Sequence, residues 1–119
     1  MKTTVVIGAS ENPERYSNRV IRMLHSRGIP VVAVGIKKGE IGDVKILPGL
    51  PHAVNVDTVT LYVGAKNQPQ YYDYILSLRP GRVIFNPGAE NPELAQIVAH
   101  NGIEALKACT LTMLTLGNY

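Results

Sequence analysis

The chain has 119 residues, 45% of them apolar and 18% charged, with a formal net charge of +3 and one cysteine. This composition suits one globular domain over residues 1–119, large enough to bury about two thirds of the surface an unfolded chain exposes, and it excludes disorder, an intramolecular disulfide and a cysteine-rich zinc site. No run approaches the ~18 apolar residues of a membrane span or the h-region of a secretory signal, so a cytoplasmic protein is expected.

Thr3 to Ile7 is a continuous β-branched and apolar run that stops at Gly8, the pattern of a parallel strand covered on both faces. Gly8-Ala9-Ser10 then turns into a polar stretch, Glu11 to Tyr16, with Ser17 or Asn18 placed to cap a helix. That helix carries Val20, Ile21 and Leu24 at helical spacing and ends with Gly28 as its C′ residue. Ile29 to Val34 is a second apolar run ending at Gly35, which completes a right-handed β-α-β unit. Between Ile36 and Asn55 glycine and proline predominate, and only Val44 to Leu47 reads as a short edge strand. Residues 56 to 63 form the next strand, ending at Gly64. Asn67 and Pro69 open a helix with Tyr72, Ile75 and Leu76 that stops at Pro80-Gly81. Val83-Ile84-Phe85 is a strand followed by the loop Asn86-Pro87-Gly88-Ala89. Asn91-Pro92-Glu93 starts a helix with Leu94, Ile97 and Val98 on one face, Asn101-Gly102 ends it, and Ile103 to Ala108 supplies the last strand.

The order β-α-β-(β)-β-α-β-α-β predicts an α/β fold with a doubly wound, mostly parallel sheet. The edge strand and strand two lie to one side of strand one, and the later strands to the other. Ligands of such sheets bind beyond the carboxyl ends of the strands where the winding reverses, which here is above Gly8. Gly8 has no Cβ, so phosphates can approach the backbone there and meet the positive end of the following helix. The tail from Cys109 to Tyr119 alternates threonine with leucine or methionine and fits a short helix, an extended arm or part of a homodimer contact. Tyr71, Tyr72 and Tyr74 offer a second candidate for a dimer face, against the alternative that they pack on the sheet.

The first loop lacks the G-x-G-x-x-G of dinucleotide enzymes, and the second strand ends in Gly35-Ile36-Lys37-Lys38 where an acid would hold ribose hydroxyls. Lysines there favour a phosphorylated ribose, as in NADP or coenzyme A, against the alternative of solvated loop lysines. Residues 1 to 45 hold eight basic and four acidic side chains, so the positive excess surrounds the first two strands. That suits a small polyanion rather than nucleic acid, which would call for a long basic stripe interleaved with aromatics. His25, His52 and His100 sit in separate segments without metal-ligand spacing.

Taken together, Gly8-Ala9-Ser10, Asn12-Pro13-Glu14-Arg15, Ser17-Asn18-Arg19, the lysine-glycine loop, Asn86-Pro87-Gly88-Ala89 and Cys109 resemble the small stand-alone CoA-binding domain proteins. These are Rossmann-like and similar to the CoA-binding domain of succinyl-CoA synthetase α chains. The resemblance covers nearly the whole chain. It implies coenzyme A or an acyl-CoA as ligand, with Gly8, Ala9, Ser10, Arg15, Ser17, Asn18 and Arg19 on the phosphate side and Lys37 and Lys38 near the ribose phosphate. By the same resemblance Tyr62, Val63 and Gly64 border the adenine, and Asn86, Pro87, Gly88 and Ala89 lie nearer the pantetheine. Two features depart from the family pattern: Val34-Gly35-Ile36 stands where Val-Asn-Pro is common, and no acid follows Cys109 between Thr110 and Leu116.

The sequence offers no nucleophile with its base, no paired carboxylates and no metal set. Glu11, Glu14 and Glu90 lie on or near the ligand loops, where carboxylates commonly complement a helix dipole. The expectation is therefore a non-catalytic or regulatory module that binds CoA. The alternatives are an NADP-dependent oxidoreductase and an interaction domain without ligand. Cys109, at the end of the last strand, faces the same crevice as a candidate contact for the ligand's thiol, or else is a buried, inert cysteine.

Overall fold

Five successive buried residues make Thr3–Ile7 (β1) the middle of the molecule, in a computed structural model that describes residues 2–119. Helix Tyr16–Ser26 (α1) leads to strand Val31–Val34 (β2), then to Gly39–Ile41 (β3), Val44–Leu47 (β4) and Val56–Leu61 (β5). Helix Tyr72–Leu78 (α2), strand Arg82–Phe85 (β6), helix Pro92–His100 (α3), strand Glu104–Lys107 (β7) and helix Thr110–Leu116 (α4) complete the chain. The seven strands form one sheet in the order β3-β4-β2-β1-β5-β6-β7, parallel except for β3. The expected α/β doubly wound sheet is thus present, with winding reversed on either side of β1.

Side chains alternate across each strand and so feed two cores. Val6 joins Val20, Ile21 and Leu24 of α1, Ala33, Ile46 and Leu114 of α4 on one face. Val5 and Ile7 join Val34, Leu61, Val83 and Phe85 with Ile75 of α2 and Leu94 and Val98 of α3 on the other. Each fully buried Val, Leu or Ile contributes about 1.5–3 kcal/mol.

Several local expectations are corrected. Neither Ser17 nor Asn18 caps α1; the cap position is Arg15, and both residues are buried in the first turn. The second strand begins at Val31 rather than Ile29, because Pro30 has no N–H to donate and contributes only its carbonyl, to Thr4 N–H at 2.9 Å. The stretch read as loop before Val44 contains β3, so the edge of the sheet is β3 and not β4. A two-residue turn with Gly42 at φ +57° closes this hairpin, matching the positive φ that tight hairpins demand. The helix expected from Asn67 starts only at Tyr72, after two 3₁₀ turns over Ala65–Asn67 and Pro69–Tyr71. It ends at Arg79, which takes φ +48° ahead of Pro80, a position where the right-handed conformation is disfavoured.

The tail is a short helix rather than an extended arm. Leu114 is buried against α1, Arg27 Nη1 donates to Leu114 O at 2.6 Å, and Tyr119 hydrogen-bonds through its hydroxyl to Thr4. The Arg82 guanidinium lies over the Tyr119 ring at 4.6 Å, so the chain end is clamped beneath the sheet. Tyr71 and Tyr74 belong to the core rather than to an open face, and Tyr74 donates to Pro51 O at 2.7 Å. Among the described residues no helix is long and apolar enough to cross a membrane.

Candidate functional site

The turn after β1 is built by its own backbone. Gly8 and Ala9 both donate to Val34 O at 2.9 Å, so β2 holds the turn from one side. From the other side comes β5: Tyr62 N–H reaches Ile7 O at 2.8 Å, and a Cβ on Gly8 would lie 2.8 Å from Tyr62 O. Gly8 has φ +102°, so glycine is required here by conformation as well as by space. Gly35, the departure noted after the second strand, has an equally physical reason: a Cβ there would be 2.7 Å from both Ala9 O and Ile46 Cγ2. The loops after β1 and β2 are therefore packed backbone to backbone.

Beyond Ala9 the loop carries its own braces. Ser10 Oγ accepts from Asn12 N–H at 3.1 Å and Asn12 Oδ1 from Glu14 N–H at 3.0 Å. Asn18 Nδ2 donates to Ser10 O at 2.9 Å while its Oδ1 accepts from Arg22 Nε at 2.8 Å. Glu11 spans to the hairpin, accepting from Glu40 N–H at 2.9 Å, with its carboxyl packed where a Gly39 side chain would stand. The first turn of α1 has no side-chain cap and no acidic residue; Arg15 N–H donates to Asn12 O and Asn18 N–H to Arg15 O, which leaves the Tyr16 and Ser17 N–H groups without a partner among the described residues. Around it Arg15, Arg19, Lys37 and Lys38 are exposed, and Arg19 sits 5.6 Å from the Tyr16 ring centroid. By contrast α3 is closed at its start by Asn91, whose Oδ1 accepts from Glu93 and Leu94 N–H.

On the β5 and β6 side the chain is locked by buried amides. Asn86 Nδ2 donates to Thr60 Oγ1 at 2.7 Å and Leu61 O at 2.8 Å, and its Oδ1 accepts from Thr110 N–H at 2.8 Å. Gln68, fully buried, donates to Val63 O at 2.9 Å and Ala89 O at 2.8 Å and accepts from Asn91 Nδ2 at 2.9 Å. Gln68 carries no sequence signal, because two of its partners, Ala89 and Asn91, lie on the loop after β6, more than twenty residues away in the chain. Tyr62 turns its ring toward the α1 and α4 core. Its hydroxyl is buried and, among the described residues, has no hydrogen-bond partner. Burial pushes its pKa well above the ordinary phenol range, and the nearby hydroxyls of Thr110 and Thr60, which bond one another at 2.7 Å, only partly offset this.

Cys109 occupies the cap position of α4 and is half-buried. Burial raises its pKa, but hydrogen bonds from the Thr112 hydroxyl and from the Thr112 and Leu111 N–H groups outweigh it, and the net shift is downward.

The sequence-predicted positions thus fall into two groups. Ala9, Ser10, Arg15, Lys37, Lys38, Val63, Gly64, Pro87 and Gly88 are partly or fully exposed on loops at the carboxyl ends of the strands, and Arg19 is exposed in the first turn of α1. Ser17, Asn18, Asn86 and Ala89 are buried, and Gly8 and Tyr62 meet through their backbones.

A doubly wound sheet with a glycine turn, an uncapped helix start and a basic loop at its switch point defines a Rossmann-like domain. Residues 2–115 match the family described as CoA binding domain, and the chain belongs to that family. A crystal structure titled as that of an uncharacterized protein is 47% identical, with TM-score 0.95, covering all of this chain and 98% of that one. A Thermus thermophilus protein shares the fold at TM-score 0.83 and 23% identity, over 99% of this chain and 90% of its own. A hypothetical protein from Pyrococcus horikoshii OT3 does so at 0.82 and 25%, over 92% and 78%. No protein of curated function matches the chain.

Proposed function

We propose that this chain binds coenzyme A or an acyl-CoA across the rim above β1, β2, β5 and β6, as a carrier or regulatory module without chemistry of its own. The observation that carries the reading is the uncapped, acid-free start of α1 flanked by exposed Arg15, Arg19, Lys37 and Lys38, in a member of the CoA binding domain family. Because Gly8 and Ala9 spend their N–H groups on Val34, the phosphates are met by the first turn of α1 and by the arginines rather than by the turn itself. Lys37 and Lys38, on the loop packed against Ala9, take the ribose 3′-phosphate. Val63 and Gly64 border the adenine, and Pro87 and Gly88 flank the pantetheine, while Asn86 and Ala89 hold that loop in place. Cys109, at the start of α4, accepts from the Thr112 hydroxyl and from the Thr112 and Leu111 N–H groups, the surroundings of a thiol held in place beside the ligand.

Titration calorimetry with CoA, dephospho-CoA, NADP and NAD tests this. CoA is expected to bind tighter than dephospho-CoA by about tenfold, the scale of a charge-assisted contact at roughly 1.5–3 kcal/mol. Equal affinity for the two removes Lys37 and Lys38 from the site. Binding of NADP without CoA replaces the reading by that of a nicotinamide-dependent oxidoreductase.

A further inference from the structure

A cavity of about 320 Å³ opens beside the loop that follows β6, between the first turns of α3 and the carboxyl ends of β6 and β7. Phe85, Pro92, Ala95 and Ala105 give it an apolar lining, and Glu90 and Lys107 are the charged residues beside them. The register explains the placement: Phe85 pairs with Lys107 and Val83 with Ala105, so these side chains share the face that α3 covers. Two alanines, at Ala95 on the helix and Ala105 on the strand, leave the space that larger side chains would fill. Another cavity, near His25, Asp43 and His52, lies against the starts of β2 and β4, at the opposite end of the strands from the rim.

Resting on the CoA reading above, we infer that this cavity receives a short aliphatic acyl group joined to the CoA sulfur. Pro87 and Gly88, given there to the pantetheine, run directly into Glu90, Asn91 and Pro92 of the cavity wall. The far end of the ligand therefore arrives where the apolar lining begins. Glu90 is tied to that loop, accepting from Gly88 N–H at 2.9 Å. Lys107 makes no ion pair among the described residues, which leaves its ammonium available to the thioester carbonyl. With one carboxylate and one ammonium at its edge and hydrocarbon between, the lining suits an uncharged aliphatic group. Free CoA would leave the cavity unfilled by carbon, so the acylated form is the preferred ligand.

Calorimetry with CoA, acetyl-CoA and butyryl-CoA reads the preference directly. At about 0.8 kcal/mol per buried methylene, or about fourfold in affinity, butyryl-CoA should bind about 15-fold tighter than acetyl-CoA. In protein labelled with ¹³C at alanine methyls, Ala95 and Ala105 should shift on adding butyryl-CoA and stay in place with CoA. Ala95→Leu and, independently, Ala105→Leu fill the space and should abolish the butyryl advantage. Equal affinity for CoA and both thioesters, or unmoved alanine methyls, overturns the acyl cavity while leaving the CoA reading intact. If neither CoA nor butyryl-CoA binds, the CoA reading is overturned and the cavity assignment falls with it.

Discussion

Replacing Gly8 by alanine separates what the turn does for the fold from what it does for a ligand. Two costs add. The φ of +102° is one that L side chains rarely adopt, which costs about 1–3 kcal/mol. The new Cβ also lies 2.8 Å from Tyr62 O and 2.9 Å from Tyr62 C, backbone atoms of a strand end held by the Tyr62 N–H bond to Ile7 O at 2.8 Å. Relief requires β1 and β5 to part at their carboxyl ends, an overpacking cost of about 1–3 kcal/mol. The sum is about 4 kcal/mol, a large share of the ~5–15 kcal/mol that holds a small domain together. At about 4 °C per kcal/mol for a domain of this size, Tm should fall by about 15 °C in a ligand-free thermal melt followed by circular dichroism. Two other glycines calibrate the terms. Gly88 has φ +92° with nothing near its missing Cβ, so Gly88→Ala shows the conformational cost alone. Gly64 has φ −64° and open space, so Gly64→Ala should change stability by about 0.5 kcal/mol at most. A Gly8→Ala protein as stable as Gly64→Ala would refute the assignment of Tyr62 as the reason for glycine.

Gln68→Leu should cost about 3 kcal/mol, because it leaves the carbonyls of Val63 and Ala89 without their Gln68 donor and the Asn91 amide with Tyr72 Oη alone; a urea midpoint shift equivalent to under about 1 kcal/mol would contradict this. Replacing Lys37 and Lys38 together by alanine should weaken CoA about tenfold and leave dephospho-CoA unchanged, and an equal loss for both ligands in calorimetry would place the lysines elsewhere. The thiolate is the form that alkylates, and the net shift at Cys109 is downward, so its iodoacetamide rate should rise with pH through a midpoint below that of a free cysteine. Thr112→Val should move that midpoint up, and a wild-type midpoint above that of a cysteine peptide would show that burial prevails over the hydrogen bonds.

Elements built from local pattern could be read directly from the chain. The glycine-bounded runs at 3–7 and 56–63, the second of which the structure shortens to Val56–Leu61, the Asn91-Pro92-Glu93 start and the Gly28 end are each specified within a few residues. Even the doubly wound order follows from the alternation of such segments, because parallel neighbours need crossovers of fixed hand. The basic loops and the glycine turn were visible for the same reason, and they marked the end of the sheet at which the candidate site lies. What the linear pattern could not supply depends on contacts between residues distant in the chain. The strand at Gly39–Ile41 has only three residues and exists because β4 offers it an edge. The tail becomes a helix on α1 because Leu114 finds a buried site there and Tyr119 a partner in Thr4. Gly8 is a ligand-turn glycine by its sequence neighbours and a packing glycine by Tyr62, 54 residues away in the chain. Gln68 reads as an ordinary polar residue until the loops after β5 and β6 close around it, since burial of a polar group is decided by what surrounds it in space and not by what adjoins it in sequence.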